Sequence, residues 1–296
     1  MAPENLFAGA YLDRRAEARL HDDWIGEARS DPDTLYVAMR GGAALTLASG
    51  EGGHTRIAFL AGADMRVQAA TPEQMVLLGW VQQRRCVLVT LEGDAPVNEP
   101  EERFTELRPL ANELAPSDAG LLAYARALHL WHADHRFCSR CGALTRSTRA
   151  GHLRQCDACG RSGFPRLDPA IIVLVHDGER ALLGRQASWQ TNRYSTIAGF
   201  VEPGESLEDA VRREVAEETG IVVTSLSYHS SQPWPFPASL MVGFMAESLH
   251  ATPELRDGEL EDARWFSRDE IAAGTVHLPT RTTISRQLID RWLGAG

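Results

Sequence analysis

The stretch GFVEPGESLEDAVRREVAEETGI, beginning at Gly199, gathers carboxylates at helical spacing. Ser206 is a good N-cap with Asp209 three residues on, and Gly220 supplies a stop, so the pattern predicts a helix from Leu207 to Thr219. At about 100° per residue, Glu214, Glu217 and Glu218 occupy one face. A run of charge is ordinarily a solvated face. Here Leu207 and Val211 lie on the same stripe as Glu214 and Glu218, so the acidic cluster continues the apolar side and is expected to point inward. Crowded carboxylates repel one another and titrate upward unless cations compensate. Magnesium, or manganese in its place, is the natural compensator, because such an ion combines one or two carboxylates with waters and substrate phosphate. An ion so held lowers the pKa of a water bound to it. Gly199, Pro203 and Gly204 are expected to shape the loop that lets backbone approach metal and phosphates.

A second constellation is Cys138-Ser-Arg-Cys141-Gly followed by Cys156-Asp-Ala-Cys159-Gly. Each is a knuckle, two thiolates two residues apart before a glycine, and two knuckles make the closed four-sulfur set of structural zinc. Cys138, Cys141, Cys156 and Cys159 therefore predict one zinc per chain that holds structure and leaves no position for water. His129, His132 and His135 stand nearby but are read as ordinary polar positions, the tetrahedron being complete without them. Arg140, Arg146, Arg149, Arg154 and Arg161 make this segment locally basic, which keeps a nucleic-acid-binding ribbon in view as the rival reading.

These groups need elements to hold them. The chain has 296 residues, 44% hydrophobic and 24% charged, an ordinary globular composition sufficient for about two domains. Its formal charge of -10 argues against a protein whose main role is nonspecific binding to phosphate backbone. No run of 18 apolar residues occurs, and Met1 to Ala10 carries Glu4 and no basic stretch leading into an apolar one; the expectation is a cytoplasmic protein with no membrane partner. Thr34–Met39, Arg56–Leu60 and Cys86–Leu91 read as strands, broken by Gly-Gly and Glu-Gly-Asp turn signals, with Cys86 a buried strand thiol. Leu121, Leu122, Ala125, Leu128 and Trp131 mark an amphipathic helix over Ser117–His132. Beyond Phe164-Pro165, Ala170–Val175 and Ala181–Leu183 read as a hairpin turning at His176-Asp177-Gly178. Ser195–Phe200, Ile221–Tyr228 and Leu240–Ala246 read as further strands, and Thr282–Trp292 as a last helix. The division expected is a strand-rich mixed N-terminal domain at 1–135, a zinc ribbon at 136–165 and an α+β domain, helices packed on a mixed sheet, at 166–296.

The segment from Gly199 fills every fixed position of Gly, five residues, Glu, seven residues, Arg-Glu, an aliphatic residue, any residue, Glu-Glu, any residue, Gly, an aliphatic residue. In this it resembles the Nudix hydrolase family. The resemblance implies a Nudix fold for the C-terminal domain, Glu214 and Glu218 as metal ligands, Glu217 as a further ligand or base, and Arg213 as an orienting partner for a carboxylate. It also implies a later acid ahead of the final strand. Glu259, in Gly258-Glu259-Leu260-Glu261-Asp262, lines up, with Glu261 its close competitor.

Downstream, Ser231-Gln232-Pro233-Trp234-Pro235-Phe236-Pro237-Ala238-Ser239 resembles the SQPWPFPxS signature of the NADH pyrophosphatase branch. Its prolines remove donors and stiffen the chain, presenting Trp234 and Phe236 at fixed angles, while Ser231, Gln232 and Ser239 carry groups able to bond a base or ribose. Phe164 stands where relatives often have tyrosine, keeping the stacking surface. Ala150-Gly151-His152-Leu153 replaces the acid that relatives carry between the knuckles. By resemblance, the substrate is a small dinucleotide, NADH or NAD, split into nicotinamide mononucleotide and AMP, or an NAD-capped RNA 5′ end, and the assembly is a homodimer. The alternatives are a Nudix enzyme for ADP-ribose or a dinucleoside polyphosphate, and a zinc-ribbon binding module with an inactive hydrolase half.

Overall fold

The strand Asp168–His176 is buried without interruption from Ala170 to Val175, as a strand covered on both faces must be. Its odd-numbered residues Ile171, Val173 and Val175 enter one apolar cluster with Ala210, Val211 and Val215 of the Leu207–Thr219 helix. Ile172 and Leu174 enter another with Ile284, Leu288, Ile289 and Trp292 of the helix Ile284–Leu293. Alternation along one strand thus fixes a helix, sheet, helix sandwich. This is a computed structural model, described over residues 5–9, 11–47, 55–93, 101–256 and 258–294; Glu4, Ala10 and the Asp94 of the turn signal lie outside the described residues.

The sheet has six strands, in the order Val223–Trp234, Ser239–Ser248, Asp168–His176, Arg180–Arg185 and Asp262–Ser267, with Ile197–Phe200 also paired to Asp168–His176. Only the pairing of Asp168–His176 with Ser239–Ser248 is parallel among these. The expected hairpin is present, Val175 facing Leu182 and His176 facing Ala181. The strand expected over Ile221–Tyr228 instead runs on to Trp234, through Pro233. It lies at the sheet edge, where the missing N–H of proline leaves no partner unsatisfied.

These residues belong to one compact unit, Leu167–Trp234 and Ser239 onward together with the described residues 5–8; Gly9–Arg166 and Pro235–Ala238 belong to a second. The second unit has its own seven-stranded mixed sheet, in which Leu35–Arg40 runs parallel to Arg84–Thr90 and antiparallel to Ala43–Leu47. The expected strand at Arg56–Leu60 is divided into Arg56–Ile57 and Phe59–Leu60, each paired to a different neighbour. The helix Pro116–Asp134 buries Leu121, Leu122, Ala125, Leu128 and Trp131, the stripe anticipated from spacing. Cys86 is fully buried and its thiol is pushed up to about 12 by burial, so it stays protonated. Among the described residues no helix is long and apolar enough to cross a membrane.

Candidate functional site

The carboxylate helix starts in a reciprocal cap. Ser206 Oγ accepts from the Asp209 N–H at 3.1 Å and donates to the Asp209 carboxylate at 2.7 Å. Gly220 closes it in the left-handed region at φ 69°. With Ala210, Val211 and Val215 fully buried, the rotation of the helix is set, and Glu218 is turned inward to 4% exposure. The Glu214 side chain is 12% exposed and that of Glu217 53%, so two of the three acids point in and the third stands at the rim.

Arg213 organises them. Its guanidinium donates to both oxygens of Glu205, at 2.5 and 2.8 Å, and to the Phe200 carbonyl at 2.9 Å. It also contacts Glu214 and Glu217, each at 3.0 Å. Glu205 is a residue that sequence reasoning did not single out. It fills the glutamate position of the motif, and its loop position conceals that it is a bidentate partner holding Arg213. The same contact holds the Glu205 carboxyl down at about 2, well below the usual range. A Cβ at Gly199 would overlap the Glu214 carboxylate, so a side chain there would displace that carboxylate from its present position.

Burial pushes the Glu214 carboxyl above its ordinary range; Arg213 opposes this, and the negative charges of Glu217 and Glu259 add to it. Glu259 therefore acts on the same charge cluster. Glu261 is ion-paired with Arg185, and its N–H donates to the Arg185 carbonyl at 2.9 Å. Burial of the Glu214 carboxylate among like charges makes an environment that a hard divalent cation relieves; among the described residues only the four cysteines bring three or more potential ligand atoms within 4.8 Å of one another. Glu218 also lines a cavity of about 330 Å³ with Ile172, Trp189, Ile197, Trp234 and Leu260 among its walls.

The cysteines are drawn together more tightly. All four sulfurs lie within 4.8 Å of one another, with Cys138 to Cys159 at 3.6 Å and Cys141 to Cys156 at 3.5 Å. Tetrahedral zinc with bonds of about 2.3 Å requires sulfurs roughly 3.8 Å apart, so the site fits that ion. The two knuckles are built alike: Gly142 and Gly160 sit at φ 74° and 73°, donating to the carbonyls of Cys138 and Cys156 at 2.9 Å. The nearby histidines are structural. His129 bonds the Gly42 N–H and the Thr90 hydroxyl, and His132, neutral because burial pushes it down to about 4, bonds the Gly151 carbonyl and Arg154. Two of the ribbon's arginines are likewise engaged, Arg146 with Asp157 at 2.9 Å and the buried Arg154 with Glu73 at 3.3 Å. This takes charge from the nucleic-acid reading.

The proline-rich segment is divided. Ser231–Trp234 is strand, Gln232 facing Met241 and Trp234 facing the buried Ser239. Trp234 lines the cavity beside Glu218. Gln232 also touches that wall, but its amide donates to the carbonyls of Leu6 and Thr282 and its oxygen accepts from the Ile284 N–H at 2.9 Å. These bonds hold the edge strand to the start of the last helix. Pro235, Phe236, Pro237 and Ala238 group with the second unit, where the guanidinium carbons of Arg108 and Arg126 lie 4.5 and 5.0 Å from the centre of the Phe236 ring. Phe164 is 65% exposed in that unit.

Comparison with known proteins agrees with this layout. The NUDIX domain family matches residues 166–291, the NADH pyrophosphatase zinc ribbon domain 133–164, and the NADH pyrophosphatase-like rudimentary NUDIX domain 33–131. The NAD-capped RNA hydrolase NUDT12 of Macaca fascicularis is 31% identical over 98% of this chain and 73% of its own length. The NAD-capped RNA hydrolase NudC of Mycobacterium bovis is 40% identical over 79% of this chain and 80% of its own. That of Stutzerimonas stutzeri is 42% identical over 68% and 72%. Because the similarity runs through nearly the whole chain and not the carboxylate helix alone, the protein belongs to the Nudix hydrolase family, in the branch that carries the NADH pyrophosphatase zinc ribbon.

Proposed function

We propose that this protein hydrolyses the pyrophosphate bond of NADH or NAD to nicotinamide mononucleotide and AMP, and that it also removes NAD caps from RNA 5′ ends. One observation carries the reading: the inward carboxylate Glu218 and the signature residue Trp234 line one cavity of about 330 Å³. A place where phosphorus can be attacked thus lies beside a ring on which a base can stack. The relatives named above as NAD-capped RNA hydrolases support the choice of substrate.

In this account Glu214, Glu218 and Glu259 hold the divalent ion, magnesium or manganese, and Glu217 at the rim is a further ligand or the base. When bound, that ion supplies Lewis acidity at the diphosphate and at the attacking water. Arg213, fixed by Glu205, keeps Glu214 and Glu217 in place. Ile197 and Leu260 exclude water from the cavity wall. Trp234 stacks one base, and Phe164, Gln232, Phe236 and the rest of Pro233–Ser239 keep the substrate-binding role that the resemblance implies. The homodimer implied by the resemblance belongs to the same reading.

Two results are expected. Glu259→Gln raises the magnesium concentration needed for half-maximal activity several-fold, whereas Glu261→Gln, which breaks an ion pair with Arg185, does not; the reverse order in a magnesium titration shifts the assignment by two residues. Trp234→Ala lowers kcat/KM for dinucleotides by roughly ten- to hundredfold, since stacking contributes about 1–3 kcal/mol per base. The experiment for the function itself compares kcat/KM for NADH, NAD, ADP-ribose, a diadenosine polyphosphate and NAD-capped RNA. A tenfold preference for ADP-ribose or the diadenosine compound refutes the substrate assignment; the same preference for capped RNA moves the role to RNA ends.

A further inference from the structure

Residues 5–8 fold onto the strand Val223–Trp234, and one of them stands in a conformation that its side chain disfavours. The Ala8 N–H donates to the Asn5 carbonyl at 3.0 Å, closing a turn whose central residues are Leu6 and Phe7. Phe7 has φ 68°. At the second central position of a turn a positive φ ordinarily selects glycine or asparagine, so a bulky aromatic residue there is strained. Strain of this kind persists only where the surrounding structure over-determines the residue.

The surroundings of Phe7 do so. The Asn5 side-chain amide donates to the Ser231 carbonyl at 2.7 Å and to the Ser230 hydroxyl at 3.0 Å, and the Leu6 carbonyl accepts from the Gln232 side chain at 3.1 Å. The turn is thus tied to three successive residues of the strand. Asn5 and Phe7 are each 4% exposed. Two residues further along, the Trp234 ring meets the Phe7 ring edge to face, 6.4 Å between centroids and 66° between planes.

Trp234 is the last residue of an edge strand, so its backbone is paired on one side only, to Ser239. Its side chain is half-buried and lines the cavity beside Glu218. A ring free to turn about its side-chain bonds must be ordered when a ligand meets it, and a ring fixed beforehand avoids that entropic loss. An edge-to-face contact fixes tilt as well as position. Glycine would suit the backbone of the turn better than phenylalanine does, so the reason for the residue lies in its ring.

We propose that Phe7 is a positioning residue that sets the Trp234 ring in the orientation in which it stacks on substrate, with Asn5 as the tether that holds the turn in place. The inference rests on the stacking role given to Trp234 above, and it adds to the reaction a segment outside the carboxylate helix, the zinc ribbon and the proline-rich signature.

The test is a double-mutant cycle on the full chain, comparing wild type, Phe7→Gly, Trp234→Ala and the double variant with NAD and NADH. Phe7→Gly relaxes the backbone while it removes the ring, which separates the role of the ring from that of the turn. Loss of one aromatic contact predicts that Phe7→Gly lowers kcat/KM roughly three- to tenfold, KM rising more than kcat falls. In the Trp234→Ala background the same substitution changes kcat/KM by less than about 1.5-fold, because the ring it positions is gone. Asn5→Ala, which releases the tether, gives the same pattern in weaker form. Acrylamide quenching of the Trp234 emission, taken as the difference between each chain and its Trp234→Phe counterpart, rises in Phe7→Gly, a readout independent of turnover. An equal loss of kcat/KM in both backgrounds, no loss in the first, or unchanged quenching overturns the proposal and leaves the role of Trp234 standing. A Trp234→Ala variant with wild-type kcat/KM overturns the stacking reading instead.

Discussion

Glu218→Gln is expected to lower turnover by two or more orders of magnitude on every diphosphate substrate, with an unchanged thermal midpoint. The substitution keeps the shape of a side chain that is 4% exposed and removes the negative charge facing the cavity. A divalent ion held by carboxylates loses a ligand, and the stabilisation it gives to charge developing on phosphate is lost mainly in the transition state, so kcat falls more than KM rises. Glu214→Gln is expected to behave likewise, because its carboxylate belongs to the same charge cluster. Steady-state kinetics at saturating magnesium, beside a melting curve, checks both. Near-normal turnover in Glu218→Gln contradicts the ligand role.

The second large effect is on stability. Cys156→Ser is expected to release zinc and to lower the midpoint of thermal unfolding, because three thiolates no longer close the tetrahedron formed with Cys138, Cys141 and Cys159. A loss of about 4 kcal/mol corresponds to a fall of roughly 8–16 °C for a unit of this size. Cys86→Ala is the control, since that thiol is buried in the sheet and is not among the four sulfurs. Elemental analysis should give one zinc per chain in wild type and in the control, and none in Cys156→Ser. A wild type free of zinc with the same midpoint contradicts the structural role.

What was legible in the sequence is what is decided locally. The bounds Leu207–Thr219 were readable because Ser206 caps through Asp209, three residues away, and Gly220 needs no distant partner. The knuckles were readable for the same reason, each turn closing within five residues. The inward set of Glu214 and Glu218 followed from sharing a stripe with Val211, while Glu217, ion-paired with Arg213 one turn earlier, lies at the rim with its side chain 53% exposed. Gln232 could not be read: its partners Leu6, Thr282 and Ile284 lie at least 50 residues away along the chain. The strands Ala43–Leu47, Glu102–Glu106 and Asp262–Ser267 were missed because edge or mixed environments leave too little alternation in so short a run.

The most direct test of the central claim is product analysis of NADH incubated with the protein and magnesium in water enriched in heavy oxygen. Attack at the pyrophosphate predicts reduced nicotinamide mononucleotide and AMP in equal amounts, one heavy oxygen on a phosphate of one product, and no free nicotinamide. Release of free nicotinamide with ADP-ribose, or recovery of intact NADH under conditions where ADP-ribose is consumed, contradicts it.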